Sequence, residues 1–118
     1  MIWFRKFLRS SVLRPSVPAS PTGAAQQLLV SYLDVAGNLL SEVKKTASTL
    51  QHGKKLAEIG IKTLEVKADA AKSLYEDAIV MGKLSDTEQR VAKEFSTAAY
   101  RYIIGQIREA REWLKQQP

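Results

Sequence analysis

Cysteine is absent from the 118 residues, so neither a disulfide nor a thiolate-bound metal can hold this chain together. Histidine occurs once, at His52, with no second histidine or carboxylate at metal-ligand spacing. It stands beside Gly53 at an expected helix end, where a ring or a cation meets free backbone carbonyls, so capping rather than catalysis is its expected role. Proline is confined to Pro15, Pro18, Pro21 and the terminal Pro118, which leaves the long intervening stretch free of helix breakers. No run approaches about 18 uncharged apolar residues, the length a membrane span needs. Even Leu28 to Leu40 is broken by Asp34, Gly37 and Asn38. Gly53, Gly60 and Gly82 stand in separate contexts and form no phosphate-binding loop. Glu76 and Asp77 are adjacent, so on a helix they diverge by about 100° and cannot act as a paired acid and base. An E-x-x-H motif for a di-iron bundle is also missing. The expectation is therefore no enzyme: no catalytic residue, no cofactor and no bound metal.

What is present is ordinary globular material. Apolar residues make up 45% of the chain and charged residues 25%, which suits a single small domain able to bury roughly two thirds of its unfolded surface. The net charge of +6 is unevenly spread. Arg5, Lys6, Arg9 and Arg14 fall in the first 20 residues, and no acid appears before Asp34. The rest of the chain is nearly neutral, and its one local cluster, Lys44, Lys45, Lys54 and Lys55, reads as a solvated helix end and turn. A nucleic-acid binder carries its excess charge as a patch on the folded body, so nucleic acid ranks last among the expected partners.

Wrapped at 100° per residue, residues 1–14 place Trp3, Phe4, Phe7 and Leu8 on one side and Arg5, Lys6 and Arg9 on the other. Such a segment suits three roles, the plainest being an ordinary first helix of the fold. It can lie in a membrane interface with its rings at the acyl boundary and its cations on anionic headgroups, or it can serve as a mitochondrial presequence, which is Arg-rich, Ser-rich, acid-free and amphipathic. A secretory signal is not expected, because Arg5, Lys6 and Arg9 interrupt the unbroken apolar core that such a signal requires. Residues 15–23, with their prolines and small side chains, read as a linker.

The body, residues 24–118, reads as helices near 24–52, 55–81 and 85–116. Leu29, Leu33, Ala36, Leu40, Val43, Ala47 and Leu50 alternate at spacings of 4 and 3, which is a heptad seam. Gly37 weakens it, and a glycine there fits a close crossing with a neighbour. The second seam runs through Ala57, Ile61, Leu64, Ala68, Ala71, Tyr75 and Ala78, with Leu56, Ile59, Val66, Leu74 and Ile79 expected to widen its apolar face. The Ala68 and Ala71 pair should admit a close neighbour. Glu58 with Lys62 and Lys72 with Glu76 are spaced for surface ion pairs. Gly82 is expected to close that helix in a left-handed conformation, and Ser85 with Glu88 forms an S-x-x-E capping box that starts the next. The third seam carries Phe95, Ala99, Ile103, Ile107, Ala110 and Leu114. Short turns between elements of this length force antiparallel neighbours. The expected fold is all-α, an elongated antiparallel three-helix bundle preceded by a short amphipathic helix and a Pro-rich linker.

Tyr100 and Tyr102 lie two apart and diverge by about 200° on a helix, so only one of them enters the core. Tyr102, with Trp113 close to three turns beyond it, makes Tyr100, Tyr102 and Trp113 the candidate partner interface, since Tyr and Trp carry binding energy disproportionately; the plainer reading of the three is core and rim. Residues 3–9 are the candidate targeting or membrane site. The expected function is a non-enzymatic mitochondrial helical accessory, assembly or structural subunit, in the matrix or associated with the inner membrane, that contacts protein partners or itself. The alternatives are a peripheral protein bound to anionic lipid through the first segment and, last, a helical nucleic-acid binder.

Overall fold

In the computed structural model, residues 21–49 and 51–118 are described. The candidate targeting residues Trp3, Phe4, Arg5, Lys6, Phe7, Leu8 and Arg9, and Leu50 of the first seam, lie outside them. The described residues form four helices and no strand: α1 (Pro21–Gly37), α2 (Leu39–Thr49), α3 (Gly53–Met81) and α4 (Asp86–Lys115). The first helix begins at Pro21, ahead of residue 24 but within the Ser20–Thr22 stretch where the sequence places a capping Ser or Thr and a proline in the first turn, its missing N–H costing nothing.

The helix expected over residues 24–52 is divided at Asn38. There the backbone tightens, with Asn38 N–H donating to the Val35 carbonyl at 3.2 Å while its side-chain amide donates to the Asp34 carbonyl at 3.1 Å. A glycine followed by an asparagine that bonds its own preceding turn is a weak link in a helix. The two pieces nevertheless act as one arm, since both pack against α3 and α4. Gly37 is not a site of close crossing: a β-carbon there would meet only the Tyr102 hydroxyl, at 3.4 Å. Its effect is local, at the break.

Neighbouring arms run antiparallel, as the end contacts show. Thr22 at the start of α1 donates its hydroxyl to the Ala78 carbonyl near the end of α3, at 3.2 Å. Lys54 at the start of α3 donates to the Gln117 carbonyl beyond the end of α4, at 3.3 Å. The result measures 52 × 26 × 16 Å, as expected of helices of about 30 residues lying side by side.

One continuous core runs along the bundle. From the first arm it takes Ala25, Leu29, Tyr32, Ala36, Leu39, Val43 and Thr46. The centre of that buried face lies one position from the expected seam, because Leu33, Leu40 and Ala47 are only half-buried. Ala68 and Ala71 sit in the middle of the core with essentially no exposure, as their size requires where helices meet closely. Towards the other end Tyr75 is buried edge-on against Phe95, with ring centroids 6.1 Å apart and planes at 87°, the edge-to-face geometry that aromatic quadrupoles favour.

The two turns follow different physics. Ser85 and Glu88 form the complete capping box: the Ser85 hydroxyl accepts from the Glu88 amide, and the Glu88 carboxylate accepts from the Ser85 amide, both at 3.1 Å. Glu88, hydrogen-bonded in this way, titrates below the usual carboxylate value. Gly82 just before it is extended, with φ −77° and ψ 157°, and not left-handed. A β-carbon there would lie 3.0 Å from the Ala78 carbonyl and 3.1 Å from the Thr22 hydroxyl, so glycine leaves room for the bond that ties α1 to α3. At the other turn the left-handed residue is His52, with φ 60° and ψ 24°. Gly53 is already helical, and a β-carbon on it would lie 2.1 Å from the Thr46 carbonyl oxygen. In this pair His52 turns the chain, and Gly53 lets two backbones touch. His52 makes no side-chain capping bond to α3.

Candidate functional site

Helix α3 presents three distinct surfaces around its axis. Ala57, Ile61, Leu64, Ala68, Tyr75 and Ile79 face the core. A polar ladder runs along the seam with α4. Glu65 receives both guanidinium nitrogens of Arg111, at 2.9 and 3.0 Å, and also Lys62 at 3.1 Å. One turn along, the Tyr100 hydroxyl donates to Asp69. Lys72 lies 5.4 Å from the centre of the Tyr100 ring and pairs with Glu76 at 2.9 Å. Lys62 therefore turns towards Glu65 rather than towards the expected Glu58, because the carboxylate that Arg111 fixes in place is the better-organised acceptor.

The ladder shifts its own titrations. The bidentate Arg111 bond, followed by the Lys62 bond, lowers Glu65 to about 2, and the same pairing raises Arg111. Donating to a carboxylate pushes Tyr100 up to about 12. Both groups are held in the charge state they already have at neutral pH, so the ladder clamps two helices rather than moving protons. Tyr32 and Tyr75 are raised by burial alone.

The third surface faces away from the bundle. Leu56, Ile59, Val66, Leu74, Val80 and Met81 retain 40–83% of their accessible surface. At 100° per residue they fall within about 60° of a line on the side of α3 opposite Leu64 and Ala68, and they extend for about 38 Å along the helix. The expectation that Leu56, Ile59, Val66 and Leu74 widen the core face is corrected here; of the flanking set only Ile79 is buried. Sequence spacing alone carried the signal. Leu56, Ile59, Thr63, Val66 and Ala70 alternate at 3 and 4, a second seam on the same helix. Charges border it unevenly, with Lys55 and Lys62 towards its start and Glu76 and Asp77 towards its end.

The three aromatic candidates are not brought together. Tyr100 belongs to the α3 ladder. Tyr102 is 46% exposed, with its hydroxyl beside Gly37 on the α1 side. Trp113 is half-buried, and Lys44 of α2 lies 5.8 Å from the centre of its ring. Tyr102 and Trp113 thus share the side of α4 that faces the first arm, whereas Tyr100 faces the opposite neighbour.

Among the described residues no group of three or more His, Cys, Asp or Glu side chains is placed to hold a metal ion, and no helix is long and apolar enough to cross a membrane. Comparison with family models, curated proteins and solved structures returned no match.

Proposed function

We propose that this chain is a non-enzymatic helical accessory or assembly subunit of a mitochondrial protein complex, docking through the outer face of α3. The observation that carries the reading is that face itself. Six large apolar side chains in one line leave on the order of 600 Å² of apolar surface in water, at or above the largest patch an ordinary monomer exposes. Such surface is costly to leave uncovered, and a bundle that already has a complete core gains nothing from it internally.

Protein suits this face better than lipid does. An interfacial helix carries cations on both flanks, whereas this face holds Asp77 on its own line and Glu76 beside it, as well as Lys55 and Lys62. The mitochondrial address rests on residues 1–14, whose composition is that of a presequence. Fusing residues 1–24 to a fluorescent protein tests the address; a diffuse cytosolic signal refutes it. Native electrophoresis of organelle extracts tests the docking. The full chain should migrate well above its own mass, and Val66→Glu combined with Leu74→Glu should release it. Unchanged migration of that variant refutes docking through α3.

A further inference from the structure

We infer that the outer face of α3 is covered by a second copy of this chain, the two α3 helices lying antiparallel about a two-fold axis between Val66 and Ala70. This rests on the docking-face reading above and names its occupant.

The seam is self-complementary when reversed. Its middle is small, with Thr63, Val66, Ala70 and Ser73, and its ends are large, with Leu56 and Ile59 at one and Val80 and Met81 at the other. In an antiparallel pair Val66 meets Ala70 of the other copy on both sides of the axis, Thr63 meets Ser73, and Leu56 meets Val80, while Leu74 and Met81 lie over the alkyl stems of Lys62 and Lys55. Small residues in the middle let the helices approach, and large ones close the ends, which suits knobs-into-holes packing.

Charge selects the same arrangement. Asp77 is the one acid on the seam itself, and it is exposed without an ion pair among the described residues. In this register it falls opposite Ile59 of the other copy, one turn from Lys55, which makes no ion pair among the described residues, and one turn from Lys62, which already pairs with Glu65. A parallel pair would instead set Asp77 against Asp77, and like charges brought together oppose pairing. The area is also sufficient. Roughly 600 Å² of apolar surface on each copy, with its polar margins, reaches the 1,200–2,000 Å² total typical of a stable interface. The two-fold axis closes the assembly, so no further copy can add through the same face.

The test uses the full chain, purified, with its mass measured by light scattering and sedimentation over a range of concentrations. The expected species is twice the 13.2 kDa chain mass. Val66→Glu with Leu74→Glu should weaken association by on the order of 100-fold or more while helicity and unfolding midpoint stay those of a folded bundle, since both side chains are already exposed. Asp77→Lys should also weaken the dimer, and adding Lys55→Asp should restore it. Because the chain has no cysteine, mixing a Val66→Cys copy with an Ala70→Cys copy reports register directly: oxidation should join the two kinds to each other. A native chain that stays monomeric to about 100 µM, a dimer untouched by the double glutamate variant, or cross-linking of Val66→Cys copies mainly to themselves overturns the inference. A monomeric purified chain that still migrates in a large organelle complex, and leaves it when the same two residues are changed, refutes the second copy but leaves the docking face standing.

Discussion

Replacing Gly53 with alanine adds one carbon at a point where two helix backbones already touch. Its β-carbon would lie 2.1 Å from the Thr46 carbonyl oxygen and 3.0 Å from the Ala47 α-carbon, whereas carbon and oxygen normally meet no closer than about 3.3 Å. The conflict is with backbone, so no rotamer change relieves it. The last turn of α2 must move by about 1 Å from the start of α3, disturbing Val43 and Ala57, which are fully buried on either side of the turn. Overpacking of this kind costs about 1–3 kcal/mol. It is offset by at most ~1 kcal/mol, the helix preference of alanine over glycine. A net loss of about 1 kcal/mol is expected, lowering the melting temperature by roughly 4 °C in a domain of this size. Urea unfolding followed by circular dichroism measures it. Gly105→Ala is the matched control, because a β-carbon there meets nothing within 4 Å on the same kind of helix; it should stabilise by about 1 kcal/mol. The identical chemical change should therefore have opposite signs at the two positions. A Gly53→Ala chain as stable as its parent refutes the argument, since propensity would then outweigh the contact.

Three further outcomes follow from named residues. His52→Gly should raise the urea midpoint by the equivalent of about 1 kcal/mol, because a side chain at φ 60° is held in a conformation that costs L-residues about that much; an unchanged or lower midpoint contradicts it. Ser85→Ala should cost about 1 kcal/mol by leaving the first amides of α4 without their acceptor, with hydrogen exchange rising first at residues 86–89. For Glu65, the folded chain holds the carboxyl near 2 against an ordinary 4.5, so between those values the unfolded chain binds more protons. Its contribution is complete above about pH 4.5 and is lost as pH falls towards 2. The Arg111 side chain is 41% exposed, so solvent limits this to about 1 kcal/mol. Glu65→Gln should flatten that part of the acid stability profile, and a profile as steep as the parent's would show that other carboxylates set it.

Much of the architecture was legible because the relevant physics is local. The alternation of Leu29, Ala36 and Val43, and of Phe95, Ala99, Ile103 and Ile107, demands helices with one buried side, and Ser85 with Glu88 starts a helix whatever packs against it. Other features resisted reading for a definite reason. Nothing local distinguishes His52 from Gly53 as the left-handed residue, and glycine is the better candidate by conformational preference. The choice falls to His52 because Gly53 is needed as a residue without a β-carbon against Thr46. The break at Asn38 was likewise hidden under a seam that continues through it. Tyr100, Tyr102 and Trp113 could be placed on one helix, but their neighbours could not, because a side chain's partner across a bundle depends on the rotation of three helices at once.

By itself the sequence determined that this chain is helical, where its last turn and final helix begin, and that its first 14 residues carry positive charge and aromatic bulk apart from a nearly neutral body. Only the tertiary structure decided which face of α3 is inside. That helix carries two apolar seams on opposite sides, either of which could line a core by pattern alone. The seam rich in alanine is buried because α1, α2 and α4 can close around it at short range, and the bulkier line from Leu56 to Met81 is left outside.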